Sequence, residues 1–333
     1  MQPENLQPHQ DLTERAVELD ESYTSPLSTR RAYGHALVEM YPAHKHMVVL
    51  DAETSNSTYA DAFMRAHPDR FFEMFIAEQN MVGVALGMAL CGKLPYISTF
   101  AAFLSRASDQ LRQAQYSGAH INVAGSHAGV SIGEDGASQM GLEDIAMFRT
   151  FLNSTVLYPA DHVAAEKLTK EMAHVQGIAY IRTTRGNTET LYSPHDVFPI
   201  GGSKVLRHSK NDVATIIAAG ITLYEALQAY EDLLGEDILV RVIDVYSVKP
   251  LDTETLHKAA QETGTIITVE DHYEAGGIGE AVAAALANTN AKIHSLAVRK
   301  LPRSGKPHEL LEYEDISATA IIAKVKETIY GRK

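Results

Sequence analysis

Short apolar segments alternate with amphipathic segments over most of the chain. Before residue 190, runs rich in Val, Ile, Phe and Tyr have the length of strands, and the stretches between them have helical periodicity. Strands are predicted at 46–50, 70–76, 94–99, 119–125, 154–158 and 177–183, and helices at 29–41, 58–66, 78–92, 101–116, 141–151 and 161–175. Because these helices are of a length that crosses over a parallel sheet, the pattern predicts a doubly wound α/β domain.

A second alternation follows a stretch without helical period. Residues 191–202 contain Pro and Gly and are predicted to form a linker. Beyond them, strands are predicted at 212–220, 237–245, 265–270 and 291–298, and helices at 222–234, 252–262, 278–289 and 315–330. The sequence therefore predicts an N-terminal arm at 1–24, an α/β domain at 25–190 and a smaller α/β domain at 203–333, both with mostly parallel sheets.

The composition narrows the classes of partner. The 333 residues include 42 acidic and 29 basic side chains, and the formal net charge of -13 makes nucleic acid and anionic membranes unexpected partners. The single cysteine, Cys91, cannot form an intrachain disulfide. The N-terminus lacks a signal-peptide core, and no apolar run approaches the roughly 20 residues of a membrane helix. A cytoplasmic location is expected.

A carboxylate lies where an apolar run meets a helix in FIAEQNMVGVALGMAL, residues 75–90. Glu78 either complements the helix dipole at the surface or lies buried, where an unpaired carboxylate would be costly. The apolar FEMFI before it and the small residues after it favour burial. A buried carboxylate at a strand end suits a ligand with a heteroaromatic ring nitrogen, whose proton it would hold.

Two aromatic residues follow the next predicted strand. Phe100 and Phe103 are predicted on one face of a helix. They form either ordinary core packing or a platform for a flat ring.

A glycine-rich loop carries further candidates. His127, Asp135 and Gln139 lie in the predicted loop of AGSHAGVSIGEDGASQMGLEDIAMFR, residues 124–149. The loop also contains Gly129, Gly133, Gly136 and Gly141. Such a loop indicates either close approach to a ligand or a solvated surface segment.

Candidate groups for an anionic ligand accompany other predicted elements. Arg30 opens the first helix, Ser57 follows a strand, and Arg182 and Arg185 lie in IRTTRG at another strand end. Because ligands bind where parallel strands end, these arginines could hold a sugar phosphate, or each could be a surface residue.

Together these motifs resemble the C-terminal half of transketolase. The matching strings, in the order of the family, are STRRAYGHAL, LDAETSNST, HPDRFFEMFIAEQNMV, STFAAF, GSHAGVSIGEDGASQMGLEDIAMFR, YPAD, YIRTTR, VKPLD, TVEDHYEAGGIGEAV and LPRSGKPHELL. The resemblance implies a pyrimidine-binding domain and a transketolase C-terminal domain. It further implies thiamine diphosphate-dependent transfer of a two-carbon ketol unit from a ketose phosphate to an aldose phosphate, as in the pentose phosphate pathway.

The resemblance also implies roles for individual residues. Glu78 would activate the aminopyrimidine ring of the cofactor, and Phe100 and Phe103 would lie beside that ring. Glu53 is placed with this cofactor site. The remaining matches are Arg30, Ser57, His127 and Arg185 for the sugar phosphate, Asp135 for a substrate hydroxyl, and His127 and Gln139 for proton transfer.

Some positions depart from the family pattern. Glu53 stands where aspartate is usual, and Gly186 where a larger residue is expected. The Gly-Asp-Gly and downstream asparagine of the family's metal site have no counterpart. We therefore expect a separate N-terminal subunit that binds the diphosphate and its Mg²⁺ or Ca²⁺, no metal ligands in this chain, and a dimer of heterodimers.

Other functions stay open. The beta subunit of 2-oxoacid dehydrogenases and deoxyxylulose-phosphate synthase have the same two-domain arrangement, although GEDGASQM and STFAAF favour transketolase. A non-catalytic sugar-phosphate-binding regulatory subunit is a third alternative. AGGIGEAV, residues 275–282, opens a predicted helix like a nicotinamide-binding turn, but it lacks the third glycine of that fingerprint.

Overall fold

The computed structural model describes residues 27–331, which form two α/β units. The predicted arm at 1–24 lies outside the described residues. The strands are β1 (Met47–Asp51), β2 (Phe71–Glu73), β3 (Leu94–Phe100), β4 (Ile121–Ser126), β5 (Thr155–Leu157), β6 (Ile178–Arg182), β7 (Lys204–Arg207), β8 (Thr215–Ala218), β9 (Arg241–Asp244), β10 (Ser247–Lys249), β11 (Thr265–Tyr273) and β12 (Lys292–Val298).

Helices alternate with these strands. They are α1 (Thr29–Met40), α2 (Ser55–Thr58), α3 (Asp61–Ala66), α4 (Glu78–Leu90), α5 (Ser108–Tyr116), α6 (Asp144–Thr150), α7 (His162–Glu171), α8 (Thr222–Leu234), α9 (Thr253–Thr263), α10 (Ile278–Ala285), α11 (Pro307–Tyr313) and α12 (Ala318–Tyr330). Short 3-10 segments occur at Pro68–Arg70, Ala101–Ala107, Val130–Asp135, Ala137–Gln139 and Met172–His174.

Both sheets are mostly parallel. The first has seven strands in the order β10-β5-β6-β4-β3-β1-β2, and β10 is antiparallel to its neighbour. The second has five strands in the order β12-β11-β8-β9-β7, in which β7 is antiparallel to β9. The predicted fold class is therefore confirmed.

Burial explains the apolar runs of the sequence. All residues of β1 and of β6 are buried, as expected for strands covered on both faces. The predicted start of α1 is also confirmed, because the Ser28 hydroxyl accepts a hydrogen bond from the Arg31 backbone N–H at 3.4 Å.

The two units share a strand and a core. β10 follows β9 of the second sheet in sequence but pairs with β5 of the first. The segment 191–202, predicted as a linker, has no helix or strand, and its Tyr192 and Phe198 are buried in the core of the first unit. The segment 191–202 is therefore packed against the first unit.

Several predicted elements differ from the observed ones. The strand predicted at 70–76 ends at Glu73, because Phe75 adopts a left-handed backbone with φ of 55°. The helix predicted at 101–116 starts as a 3-10 segment, and Phe100 ends β3, so a shared helical face for Phe100 and Phe103 is wrong. The pattern did not predict β7, β10 or α11. Between residues 27 and 331, no helix is both long and apolar enough to span a membrane.

Candidate active site

Most of the predicted site residues gather at the carboxyl edge of the first sheet. Parallel pairing of β1 with β3, β3 with β4 and β4 with β6 places the ends of these strands side by side. Phe100 ends β3, His127 follows β4, and Arg185 follows β6. This edge is where α/β sheets bind ligands.

Glu78 begins α4 and is buried, with 3% of its surface exposed, so the predicted burial is confirmed. Its Oε2 accepts no hydrogen bond from the residues that the structure describes. Arg106 Nε lies 3.6 Å from this oxygen, on a side chain that is 69% exposed. A buried carboxylate oxygen without a donor is costly, which indicates that a ligand or partner supplies one.

Three rings form a stack beside this carboxylate's helix. The Phe100 ring lies 5.2 Å from the Phe103 ring at an interplanar angle of 15°, and 3.9 Å from the His127 ring at 17°. Phe103 and Arg106 belong to the same 3-10 segment, which packs against α4. The two phenylalanines stack through a strand end and a 3-10 turn instead of the predicted helical face.

His127 has an unusual environment for a histidine. It is 3% exposed, its backbone φ is 55°, and its Nδ1 lies 3.0 Å from the Ser126 hydroxyl. Burial, with the nearby charges of Arg30 and Arg185, lowers the pKa of His127 to about 3. The imidazole is therefore neutral at pH 7, with one nitrogen able to donate and one able to accept a hydrogen bond.

The predicted substrate residues are joined by direct contacts. Arg30 donates to the Ser57 carbonyl at 2.7 Å and to the Arg185 carbonyl at 3.0 Å. The Arg185 side chain forms an ion pair with Asp135, with 3.0 Å between Nε and Oδ2. Two cations and one carboxylate thus lie together near His127, and the net positive charge suits an anionic ligand.

Glu53 and Gln139 are less closely tied to this group. Glu53 is exposed after β1, with φ of 57°, and its backbone N–H donates to the Glu73 carboxylate at 2.9 Å. The neighbouring Asp51 is fully buried and accepts hydrogen bonds from the Ser98 and Thr58 hydroxyls at 2.6 and 2.8 Å. Gln139 is half-buried at the end of the 3-10 segment Ala137–Gln139. The roles of Glu53 and Gln139 stay predictions.

Neither alternative predicted for Arg182, a sugar-phosphate contact or a surface position, describes its place in the structure. Arg182 is fully buried and forms ion pairs with Asp144 at 2.8 Å and Asp271 at 2.7 Å. Its guanidinium also lies 4.5 Å from the centre of the Tyr158 ring. The acidic partners lie far away in sequence, but the charged EDH within the apolar strand TIITVEDHY, residues 265–273, is a signal for a buried cation that sequence reasoning missed.

The glycine turn AGGIGEAV is also explained. Glu270 is fully buried at the end of a parallel run in β11, and its carboxyl group accepts hydrogen bonds from the N–H groups of Ile278 at 2.5 Å and Gly279 at 2.8 Å. The N-terminus of α10 is therefore capped by the chain's own acid. A dinucleotide diphosphate at this turn would have to compete with the Glu270 carboxyl group for the same N–H groups, which disfavours nicotinamide binding there.

Within 27–331, no group of three or more His, Cys, Asp or Glu side chains is arranged to hold a metal ion.

Comparison with known proteins decides the family. The pyrimidine binding domain of transketolase matches residues 25–190, and the transketolase C-terminal domain matches residues 203–321. A structure described as a split gene transketolase, an inactive beta4 tetramer, is 37% identical, with a TM-score of 0.83 over 93% of this chain and 100% of that chain. The chain belongs to the transketolase family.

Other transketolase relatives are longer. Transketolase-like protein 2 of Mus musculus is 51% identical over 91% of this chain and 49% of its own length. Transketolase of Homo sapiens is 49% identical over 91% of this chain and 49% of its own length. The chain thus spans about half the length of these curated relatives.

Proposed function

We propose that this chain is the C-terminal subunit of a split transketolase, which transfers a two-carbon ketol unit from a ketose phosphate to an aldose phosphate. The observation that carries the proposal is the buried Glu78, whose Oε2 has no hydrogen-bond donor among the described residues, next to the segment that holds the aromatic stack. Asp144 also has a buried oxygen without a donor, but its other oxygen is held by Arg182 and Tyr180, whereas no hydrogen bond to the Glu78 carboxylate is found among the described residues.

The residues present fit thiamine diphosphate. Its aminopyrimidine has a ring nitrogen that the open oxygen of Glu78 would hydrogen-bond, and we place its flat ring beside the stack of Phe100 and Phe103, as the family match implies. When bound, the cofactor supplies the carbon nucleophile that the protein lacks. Glu78 would hold the proton at the ring nitrogen, and the aromatic side chains would orient the ring and exclude water. We also place Glu53 at this site, through the family match.

We assign the substrate to the group around His127. Arg30 and Arg185 carry the charge for a sugar phosphate, and Ser57 lies beside Arg30 through its carbonyl. Asp135 pairs with Arg185 and would accept a hydrogen bond from a substrate hydroxyl. His127 and Gln139 are the proposed groups for proton transfer, and the neutral imidazole of His127 can either donate or accept.

The diphosphate and its Mg²⁺ or Ca²⁺ are assigned to a partner, the N-terminal transketolase subunit. Such cations need several oxygen ligands, and residues 27–331 contain no cluster of that kind. The curated relatives are about twice as long, so one chain of theirs could contain both this half and the half that binds the diphosphate. We place the complex in the cytoplasm, where the exposed thiol of Cys91 would stay reduced.

Helix α4 supports self-association into a dimer of heterodimers. Phe75, Ile76 and Leu90, which flank or end this helix, are 65, 80 and 62% exposed. A methyl group added at Gly83 or Gly87, one helical turn apart, would meet no atom of the chain within 4 Å. An apolar helix with an open glycine face allows close approach of another helix. We assign this face to a second copy of the chain.

The test is ketol transfer from xylulose 5-phosphate to ribose 5-phosphate with thiamine diphosphate and Mg²⁺. Activity is expected from the chain purified with its partner subunit and not from the chain alone. A complex carrying Glu78→Gln is the matched control and should be inactive. Turnover by the chain alone, or full turnover by the Gln variant, would contradict the proposal.

A further inference from the structure

The loop that carries the proposed substrate residues is shaped by the second α/β unit. The substrate loop is defined here as residues 127–141, which contain His127, Asp135 and Gln139. Its ends are joined by hydrogen bonds from Gly129 N–H to the Gly141 carbonyl at 2.8 Å and from Gly141 N–H to the His127 carbonyl at 3.3 Å. Between these bonds, Val130, Ile132 and Met140 pack in a core cluster with residues of the second unit.

Three glycines of the substrate loop have left-handed backbones, and each faces the second unit. Gly129, Gly133 and Gly136 have φ values of 82°, 84° and 84°. A methyl group at Gly129 would overlap the Asp271 carboxylate. At Gly133 it would lie 3.2 Å from the Gly305 carbonyl, and at Gly136 it would lie 2.6 Å from the Ser304 hydroxyl. The space that side chains would fill is taken by atoms of the second unit.

Asp271 also holds the end of the loop through Arg182. Arg182 donates to Asp271 Oδ1 at 2.7 Å and to the Gly141 carbonyl at 2.9 Å. The Tyr158 hydroxyl donates to both Asp271 oxygens, at 3.0 and 3.1 Å. Asp271 and Arg182 are fully buried and paired, which fixes the positions of both side chains. The ends of the loop, which contact them, are fixed with them.

We propose that the second α/β unit positions the substrate loop, with Asp271 at its base and the segment 304–307 at its tip, and thereby sets the affinity for the ketose phosphate. Asp271 acts as a positioning residue, since it lies against the loop backbone at Gly129 and is not among the residues assigned to the substrate. This inference rests on the proposed transketolase function. It gives the second unit a defined task in a site whose side chains belong to the first.

The experiment compares Asp271→Asn with Asp244→Asn in the complex with the partner subunit. Asp244 is a matched control, because it is equally buried at the end of β9 and accepts a hydrogen bond from the Tyr192 hydroxyl at 2.5 Å. Asp271→Asn should raise KM for xylulose 5-phosphate about tenfold, with a smaller change in kcat, because a displaced loop weakens substrate binding. Asp244→Asn should lower the melting temperature and leave KM unchanged.

A second variant tests the tip of the loop without touching the buried network. Pro307 is exposed, and its ring carbons would lie 3.3 and 3.4 Å from a methyl group at Gly133. Pro307→Ala should fold normally and raise KM about threefold, as a smaller displacement of the same loop.

Amide hydrogen exchange separates this inference from the proposed function, because it needs only this chain. Asp271→Asn should speed exchange at Gly129 and Gly141, whose N–H groups close the loop, and Asp244→Asn should not. Unchanged exchange and KM in both Asp271→Asn and Pro307→Ala would overturn the positioning role. If the wild-type complex lacks ketol transfer but exchange responds as expected, the proposed function fails and the positioning of the loop stands.

Discussion

Two buried glutamates occupy similar places in the two units and differ in their partners. Glu78 lies shortly after β2 at the start of α4, and Glu270 lies in β11 near the start of α10. Their exposed fractions are 3 and 0%. Both oxygens of Glu270 accept hydrogen bonds from the N–H groups of α10, whereas Oε2 of Glu78 accepts none from the described residues.

The difference separates an acid whose oxygens its own chain satisfies from one that is open to a ligand, as proposed for Glu78. The cost of burying the Glu270 carboxyl group is offset by hydrogen bonds from its own chain, so its role is to stabilise the fold. Glu78 Oε2 has no hydrogen-bond donor among the described residues and is 3.6 Å from the exposed Arg106 guanidinium, so a donor that bound there would relieve a cost of burial. Burial alone would rank the two residues alike, and the hydrogen-bond partners distinguish them.

The largest expected effect is the loss of activity in Glu78→Gln. The amide cannot hold a proton at the cofactor ring, so kcat/KM of the complex should fall about a thousandfold, within the range for general acid–base groups. The melting temperature should not fall, because the change removes a buried charge without removing a hydrogen bond. Steady-state kinetics and thermal unfolding check both. An active Gln variant would place Glu78 among the structural acids.

The isosteric change Glu270→Gln should do the reverse. Its NH₂ group would face one of the two backbone N–H groups that Glu270 now satisfies, which should cost about 1–3 kcal/mol in the free energy of unfolding. Denaturant unfolding measures this loss. The kcat of the folded fraction should stay close to that of the wild type. A Glu270→Gln protein with unchanged stability and a lower kcat would contradict the structural role of Glu270.

His127 extends the comparison to pH. Its pKa is lowered from 6.5 to about 3, so between these values the unfolded chain binds a proton that the folded chain does not. The associated stability is present above pH 6.5 and is lost as pH falls toward 3. Acidification from pH 7.5 to 5.5 should therefore cost about 1.4 kcal/mol through this residue. The difference in unfolding free energy between the wild type and His127→Gln, measured at both pH values, isolates the effect. An identical pH dependence in the two proteins would contradict it.

The smallest effect concerns the open face of α4. Gly83→Ala should stabilise the dissociated chain by about 0.5–1 kcal/mol, because a methyl group there meets nothing within 4 Å and alanine favours helix. The same change should weaken self-association in sedimentation experiments. Gly34→Ala in α1 is the control and should destabilise the chain, since its methyl group would overlap the Tyr59 backbone. Stronger association of Gly83→Ala would move the interface elsewhere.

The sequence predicted the features that depend on local pattern. Buried parallel strands gave unbroken apolar runs, and the apolar flanks of Glu78 indicated its burial. Strand ends also indicated the edge where His127 and Arg185 lie. These predictions succeeded because a strand covered on both faces leaves a signature in its own residues.

Features that depend on distant pairing were missed. Arg182 follows a strand just as Arg185 does, and only the contacts with Asp144 and Asp271, 38 and 89 residues away, make it structural. β7 and β10 have four and three residues, too few for a periodic pattern to stand out. The apolar residues around Phe75 predicted a strand as far as residue 76, but the left-handed backbone of Phe75 is incompatible with it.

The shared strand β10 has a consequence for biosynthesis. Because residues 247–249 pair with β5, the first sheet cannot be completed when residue 190 leaves the ribosome. Until about sixty more residues have been made, the edge of β5 offers unpaired N–H and C=O groups to any neighbouring chain. The nascent protein therefore passes through a period of exposure that chaperones would have to cover, and it ends only when the second unit supplies the missing strand.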